Sequence, residues 1–387
     1  MKKFIIDLGM FDNTFLTVQE IADQALLRLR ENEVFSKLVW RDFDGDFTKK
    51  KGDTVSVRVP NVFEAKTFTT TTTAQAIAQT SVTVKLDNIA DVTIDVTSKQ
   101  KTLNLSNYTE EIVNPAVEAL ASKIDKTLAG LYIDIPYFTG TAGTTPSSLK
   151  AFAYSAKILN ENKVPLGMRS GVWDPSALAE FQQLDKFVEL DKSGTTEALR
   201  EGSIGKAIGI QNFMDQNVLT HKAGGYTVLE DVTITTGAAD ATSIILTSAA
   251  ETSVAKLLKG DIFTLDGNQY VVTADTLAAE AGVVTVAIYP ALTVAFGDMT
   301  ADTVAFADQA STAHVANLVF HRNAFVFVNR PMDSELSGVE SATASFEGLS
   351  IRVTKGYTMS TKTENISFDI LYGVKTVHKE LAVRVLG

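Results

Sequence analysis

The chain has no cysteine, four histidines and two tryptophans among its 387 residues. Without a thiol there is no disulfide, no thiolate metal site and no cysteine nucleophile. The histidines (His221, His314, His321 and His378) stand too far apart in sequence to form a local metal-binding pair. Basic residues are also short, since 35 Lys and Arg face 46 Asp and Glu for a net charge of −11. A nucleic-acid binder needs the opposite surplus to displace counterions from phosphate. Long apolar runs are missing too. Phe4-Ile5-Ile6 stops at Asp7, too short for a secretory leader. Val283–Gly297, the best membrane candidate, is shorter than a span and carries Pro290, so it reads as a pair of buried strands. These absences predict a soluble protein made and kept in the cytoplasm, with no membrane partner.

What is present can build a core. Hydrophobic residues make up 45% and charged residues 21% of the chain, and its length suits two or three domains. Ile21, Ala22, Ala25, Leu26 and Leu29 recur at helical spacing, opposite Glu20, Asp23, Gln24 and Arg30, which predicts an amphipathic helix within 17–40. Leu27 falls on the polar side. From residue 41 to 102 the period becomes two. Val55, Val57 and Val59 alternate with polar residues up to Pro60, and Val82, Val84, Leu86, Val92, Ile94 and Val96 do the same. Between these runs lie six threonines within 67–73, a β-prone stretch with little to bury. The pattern predicts a long two-stranded excursion. A lone hairpin is marginal in water, so this arm calls for another surface to lie on.

The clearest helix follows, over Asn107–Tyr132. Asn107 and Glu110 have capping-box spacing, and Val113, Val117, Leu120, Ile124, Leu128 and Leu131 form its core face. Pro115 is tolerated only if the helix effectively starts near Val113. Pro136 ends it. Residues 137–225 mix helices and strands, including a helix Pro175–Phe187 capped by Asp174. Residues 226–316 read as several short strands, with Ile262–Leu265 and Tyr270–Val272 flanking the turn Asp266-Gly267-Asn268-Gln269, as in a small barrel or sandwich. This segment carries eleven acidic residues against Lys256 and Lys259, while the remainder holds 33 basic and 35 acidic residues. Nearly all the net charge therefore sits in one module, which is expected to face outward. Its removal is expected to leave a chain that folds but assembles poorly. Leu318–Val328 then resumes a buried-strand pattern that closes with 349–354, 366–373 and 381–385.

Candidate chemistry is thin. Gly202-Ser203-Ile204-Gly205 lacks the spacing of a nucleophile elbow, and Gly205-Lys206 lacks a phosphate loop. Asp42-Phe43-Asp44-Gly45-Asp46 places its glycine fourth where a calcium loop needs it sixth, so an acidic turn is the better reading. Lys49-Lys50-Lys51 sits among enough acids to make a neutral, solvated loop. His321-Arg322, inside an apolar run, reads as a hydrogen-bonded structural histidine. The sequons at Asn104, Asn107 and Asn365 carry no weight in a cytoplasmic chain. No enzyme, cofactor or metal site emerges.

The order of these segments resembles the major capsid proteins of tailed phages with the Hong Kong 97 fold, and more closely the P-twenty-two-type podophage coat proteins, which carry an extra β-barrel insertion. The segments that carry the resemblance are Lys51-Gly52-Asp53-Thr54-Val55, the Asn107–Tyr132 helix, Lys259–Thr264, Phe320–Phe325 and Asp369–Lys375. The resemblance implies an α+β fold with a long β-hairpin E-loop, a spine helix and an inserted small β-barrel. It implies an N-terminal arm (1–40), an E-loop and peripheral domain (41–136), an axial domain (137–225), an inserted barrel (226–316) and return strands of the axial and peripheral domains (317–387). It also implies a shell of hexamers and pentamers around phage DNA, held by weak non-specific contact. Phe63, Lys66 and Phe68 of the E-loop (62–79) would touch a neighbouring subunit. Scaffolding and portal proteins would be partners, with assembly in the host cytoplasm. Two rivals are an encapsulin-like cellular shell and a β-rich adhesin or tail-fibre protein, although the chain shows neither repeats nor an aromatic cluster.

Overall fold

The computed structural model describes residues 17–41, 54–58, 81–97, 112–188, 202–228, 232–248, 256–277, 282–297, 304–307, 313–335, 338–346 and 349–387. The fold is α+β and rich in strands. The chain divides into two units, one of 1–32, 88–121 and 329–371, the other of 33–87, 122–328 and 372–387.

In the first unit, helix α1 (Val18–Asn32) packs on the antiparallel strands Glu340–Phe346 and Leu349–Thr358. Its first turn is a reciprocal cap, with the Thr17 N–H donating to Glu20 Oε2 (2.8 Å) and the Glu20 N–H donating to Thr17 Oγ1 (3.3 Å). The expected stripe is buried, joined by Val18, and Leu27 is 56% exposed. Strand Asn88–Thr97 pairs with Thr363–Thr376 and alternates as its sequence demands. Ala90 and Val96 point inward while Ile89 is 61% exposed, because a pleat sends neighbours to opposite faces.

Two sequence expectations shift at the helices. Among the described residues the long helix, α3, is α-helical over Asn114–Ala129, after the short helix α2 (Phe35–Leu38). The last turn tightens into a 3₁₀ segment, Gly130–Asp134. Asn107 and Glu110 lie outside the described residues. Val113, Val117, Leu120, Ile124 and Leu128 are all buried. The expected helix Pro175–Phe187 is two pieces, α5 (Pro175–Gln182) and α6 (Asp185–Val188), after α4 (Lys150–Glu161). The Asp174 cap is present: its carboxylate accepts from the N–H groups of Ser176 (3.0 Å) and Ala177 (3.3 Å), with Pro175 first in the helix. The break follows from bonding, since the Gln183 and Leu184 N–H groups bond three residues back to Glu180 and Phe181 rather than four.

The second unit contains a mixed sheet in the order Phe138–Gly140, Ala382–Leu386, Ala313–His321, Arg169–Trp173, Ile210–Met214, Lys206–Ala207. Helices α4 and α5 cover one face through Phe152, Leu159, Ala177 and Phe181 against Trp173, Val319 and Val383. A second seven-stranded sheet runs from Phe296–Gly297, through Thr233–Gly237, to Ala305–Phe306. Its core joins residues from opposite ends, including Ile234, Leu246, Phe263, Tyr270, Val286 and Phe306. The Val304 N–H reaches the Val232 carbonyl (2.9 Å), so the sheet curls until its ends meet. The turn in this sheet is tighter than the sequence suggested. Leu265 pairs with Asn268, leaving the two-residue loop Asp266-Gly267 with φ of 49° and 75°, the type I′ geometry that Asp-Gly favours.

Candidate functional site

The arm read from the sequence has a described base. Thr54–Arg58 and Ser81–Lys85 pair antiparallel over five residues, from Thr54↔Lys85 to Arg58↔Ser81, and bond to no other strand among the described residues. Val84 and Leu86 are buried there. Gly373 comes so close to the Lys85 carbonyl that a Cβ at 373 would collide with it, so glycine is what lets the two backbones meet. Residues 59–80, with Phe63, Lys66 and Phe68, lie outside the described residues, as do Asp42–Asp46 and Lys49–Lys51.

A buried polar junction fastens the curled sheet to the rest of the second unit. His221 and His314 are cross-strand partners in the pair Thr220–Lys222 and Ala313–His321, with ring centroids 5.3 Å apart. Histidines remote in sequence thus become neighbours. His221 Nε2 lies 2.9 Å from Asp261 Oδ1, and its Nδ1 lies 3.0 Å from the Tyr132 hydroxyl. Asp261 also accepts from the N–H groups of Gly224 (3.1 Å) and Leu258 (2.8 Å). Arg384, fully buried, donates to the carbonyls of Gly260 (2.8 Å) and Ile133 (3.3 Å) and lies over the Tyr132 ring. Further out, the Gln269 side chain imitates a strand by donating to the Phe138 carbonyl (2.8 Å) and accepting from its N–H (3.1 Å). Ile262 and Val271 turn away from the curled core to pack on Leu386. The 226–316 segment is therefore more than a tether. Its excision would remove the Asp261, Gly260 and Gln269 groups that bond His221, Arg384 and Phe138.

The Tyr–His–Asp chain has the connectivity of a catalytic relay but no access. Asp261 is 0% and His221 4% exposed. The cleft of about 410 Å³ nearby is lined instead by Tyr137, Tyr154, Lys157, Glu161 and the Asn268-Gln269 turn. The arrangement ties strands together in the interior. His321 is likewise structural, because its Nδ1 accepts from the Asn323 N–H (3.2 Å) and burial, with Arg169 beside it, lowers its proton affinity. Gly202–Gly205 is a loop before the strand Lys206–Ala207. Among the described residues no three His, Asp or Glu side chains converge to hold a metal, and no helix is long and apolar enough to cross a membrane.

Residues 10–387 match the family described as P22 coat protein, gene protein 5. The chain belongs to the P22 coat protein family. No curated protein sequence matches it. Among solved structures it is similar to one from Mycobacterium phage Che8, at 17% identity and a TM-score of 0.50 over 91% of this chain and 90% of that one. It is also similar to the capsid of Ralstonia phage GP4, at 9% identity and 0.49 over 100% and 98%. The mature capsid of bacteriophage PhiM1 follows at 11% identity and 0.46 over 92% and 86%. The Che8 likeness shows the fold, and it is the Hong Kong 97-like fold that the sequence resemblance implied. The coat protein is a structural component of a bacteriophage shell, a major capsid protein, and neither the encapsulin-like nor the adhesin reading is favoured.

The coat protein also holds two carboxylate groupings that the sequence reading passed over. In the first unit, Asp369 takes two donors from Arg352 (2.7 and 3.1 Å), and the Ser367 hydroxyl bridges it to Asp91 (2.7 and 2.6 Å). Burial and the hydrogen bond shared with Asp91 raise Asp369, while for Asp91 the hydrogen bonds outweigh burial and lower it. In the second unit, Asp125 sits on the buried face of α3 beside Glu33 and Asp215, all three largely out of water. The signal for Asp125 was legible: it follows Ala121 by four residues, in phase with the apolar stripe.

Proposed function

We propose that copies of this coat protein assemble as rings of five and six into an icosahedral shell enclosing phage DNA. The ribbon and residues 59–80 lie across a neighbouring copy, with Phe63, Lys66 and Phe68 in the contact. The observation that supports this reading is the ribbon itself: a strand pair that shares hydrogen bonds with no other described strand. Such a pair is marginal in water, and a neighbour's surface would complete it. The individual contacts can be weak. A contact of about −4 kcal/mol is only millimolar alone, yet several per copy become strong in a closed lattice.

The curled sheet and its flanks, 226–316, serve as an insertion domain whose acidic surface faces outward. The near-neutral remainder, with 33 basic and 35 acidic residues, encloses DNA without gripping it. Scaffolding and portal proteins guide closure in the host cytoplasm, and the chain performs no catalysis. Negative-stain microscopy of the purified full chain tests this at rising concentration, alone and with the phage's scaffolding protein. Closed particles of uniform diameter are expected. Compact monomers under every condition would contradict the reading.

A further inference from the structure

In the first unit, strand Glu340–Phe346 is the last of its sheet. It pairs with Leu349–Thr358 on one side and with no other described strand on the other. The register runs unbroken from Glu340↔Lys355 to Phe346↔Leu349. Seven residues at roughly 3.3 Å each make an edge about 23 Å long, along which every second residue turns its N–H and C=O outward. Both faces of the strand are already engaged. On one, Ala342 and Ala344 are buried, and α1 packs on this strand and its neighbour. On the other, residues 331–335 cross the strands: the Met332 carbonyl accepts from Thr343 Oγ1 (3.1 Å), the Asp333 carbonyl from Arg352 (3.1 Å) and the Ser334 carbonyl from the Ser341 hydroxyl. What is left to bind with is the edge.

Proteins usually blunt such an edge with charge, proline, a bulge or a cover, because it is a template for another strand. Here only Glu340, at one end, is charged, and there is neither proline nor bulge. The surroundings carry one sign. From 331 to 351 the chain holds Asp333, Glu335, Glu340 and Glu347 and no Lys or Arg. The ribbon has the opposite balance, with Arg58, Lys66 and Lys85 against Glu64 alone from 54 to 86. Two like edges, or two like ribbons, would repel, whereas an edge and a ribbon attract. Within the ribbon, the Lys85 end of one strand is taken up by Gly373 of its own chain, so Thr54–Arg58 is assigned the contact.

We propose that Glu340–Phe346 receives Thr54–Arg58 from the ribbon of a neighbouring copy by strand addition. Backbone hydrogen bonds hold the added strand, and the opposite charges bring the two edges together. The inference rests on the shell reading above and adds to it the surface that takes the ribbon.

The chain has no cysteine of its own, so introduced thiols report contacts cleanly. Ser56→Cys chains and Ser345→Cys chains are mixed in equal amounts, assembled and treated with a short bismaleimide. Covalent pairs holding one chain of each kind are expected in shells and not in the unassembled mixture. In parallel, hydrogen exchange on the native chain follows the peptide spanning 340–346. Its freely exchanging amides are expected to slow at least about tenfold on assembly. Native shells in which this peptide exchanges as in the free chain would overturn strand addition and leave the shell reading standing. Protection without mixed pairs would overturn the ribbon as the occupant. Native chains that form no shells would overturn the shell reading, and this inference with it.

Discussion

The curled sheet and the ribbon are built from the same residue types, alternating valines, isoleucines and threonines, yet they reach stability by opposite routes. In the sheet, strands from Thr233 to Phe306 close around one core in which Phe263 lies 5.5 Å from Tyr270 and 5.8 Å from Phe306, ring to ring. Its outer side is fastened by Asp261, Gly260 and Gln269. The ribbon has five described paired positions and an anchored root. A strand set that curls until its ends meet has no long edges left to satisfy, whereas a two-stranded ribbon has two. One region is finished by its own chain, and the other, on the proposed reading, by a neighbour.

The contrast can be broken most violently by removing residues 226–316. That deletion is expected to destabilise the whole second unit, because Tyr132, His221 and Arg384 would lose buried partners. Circular dichroism of a deletion that melts like the intact chain would show the two parts to be independent. Phe263→Ala should cost about 3–5 kcal/mol by emptying the centre of the curled core, read as a fall in the denaturation midpoint. His221→Leu should cost about 2–3 kcal/mol, since it leaves the Asp261 carboxylate short of a donor. At the ribbon's root, Val84→Ala should cost only about 1.5 kcal/mol, roughly two methylenes' worth of burial. Its larger consequence should appear in assembly rate. Gly267→Ala, forced to keep φ near 75° in the hairpin turn, should cost about 1 kcal/mol.

Much of the fold could be read from the residues because it is local. The α1 stripe, the alternation through 82–96, the Asp174 cap and the Asp-Gly hairpin each depend on neighbours a few positions apart. What could not be read depends on distant pairing. His221 meets His314 only because their strands pair, Asp261 reaches His221 across 40 residues, and Asp125 caps a helix 90 residues earlier. The helix Pro175–Phe187 is broken by a local choice of bonding three residues back, which periodicity does not reveal. Tyr270-Val271-Val272 reads as a uniformly buried run because each face of that strand meets a different partner, the curled core on one side and Leu386 on the other.

The central claim is that this chain folds by itself but assembles through a ribbon it leaves unfinished. Replacing residues 62–79 with a two-residue turn and measuring sedimentation velocity alongside the intact chain, under conditions in which the intact chain forms shells, tests it most directly. The account predicts a folded species of single-chain mass with no shells. Shells of native size from the shortened chain would contradict it.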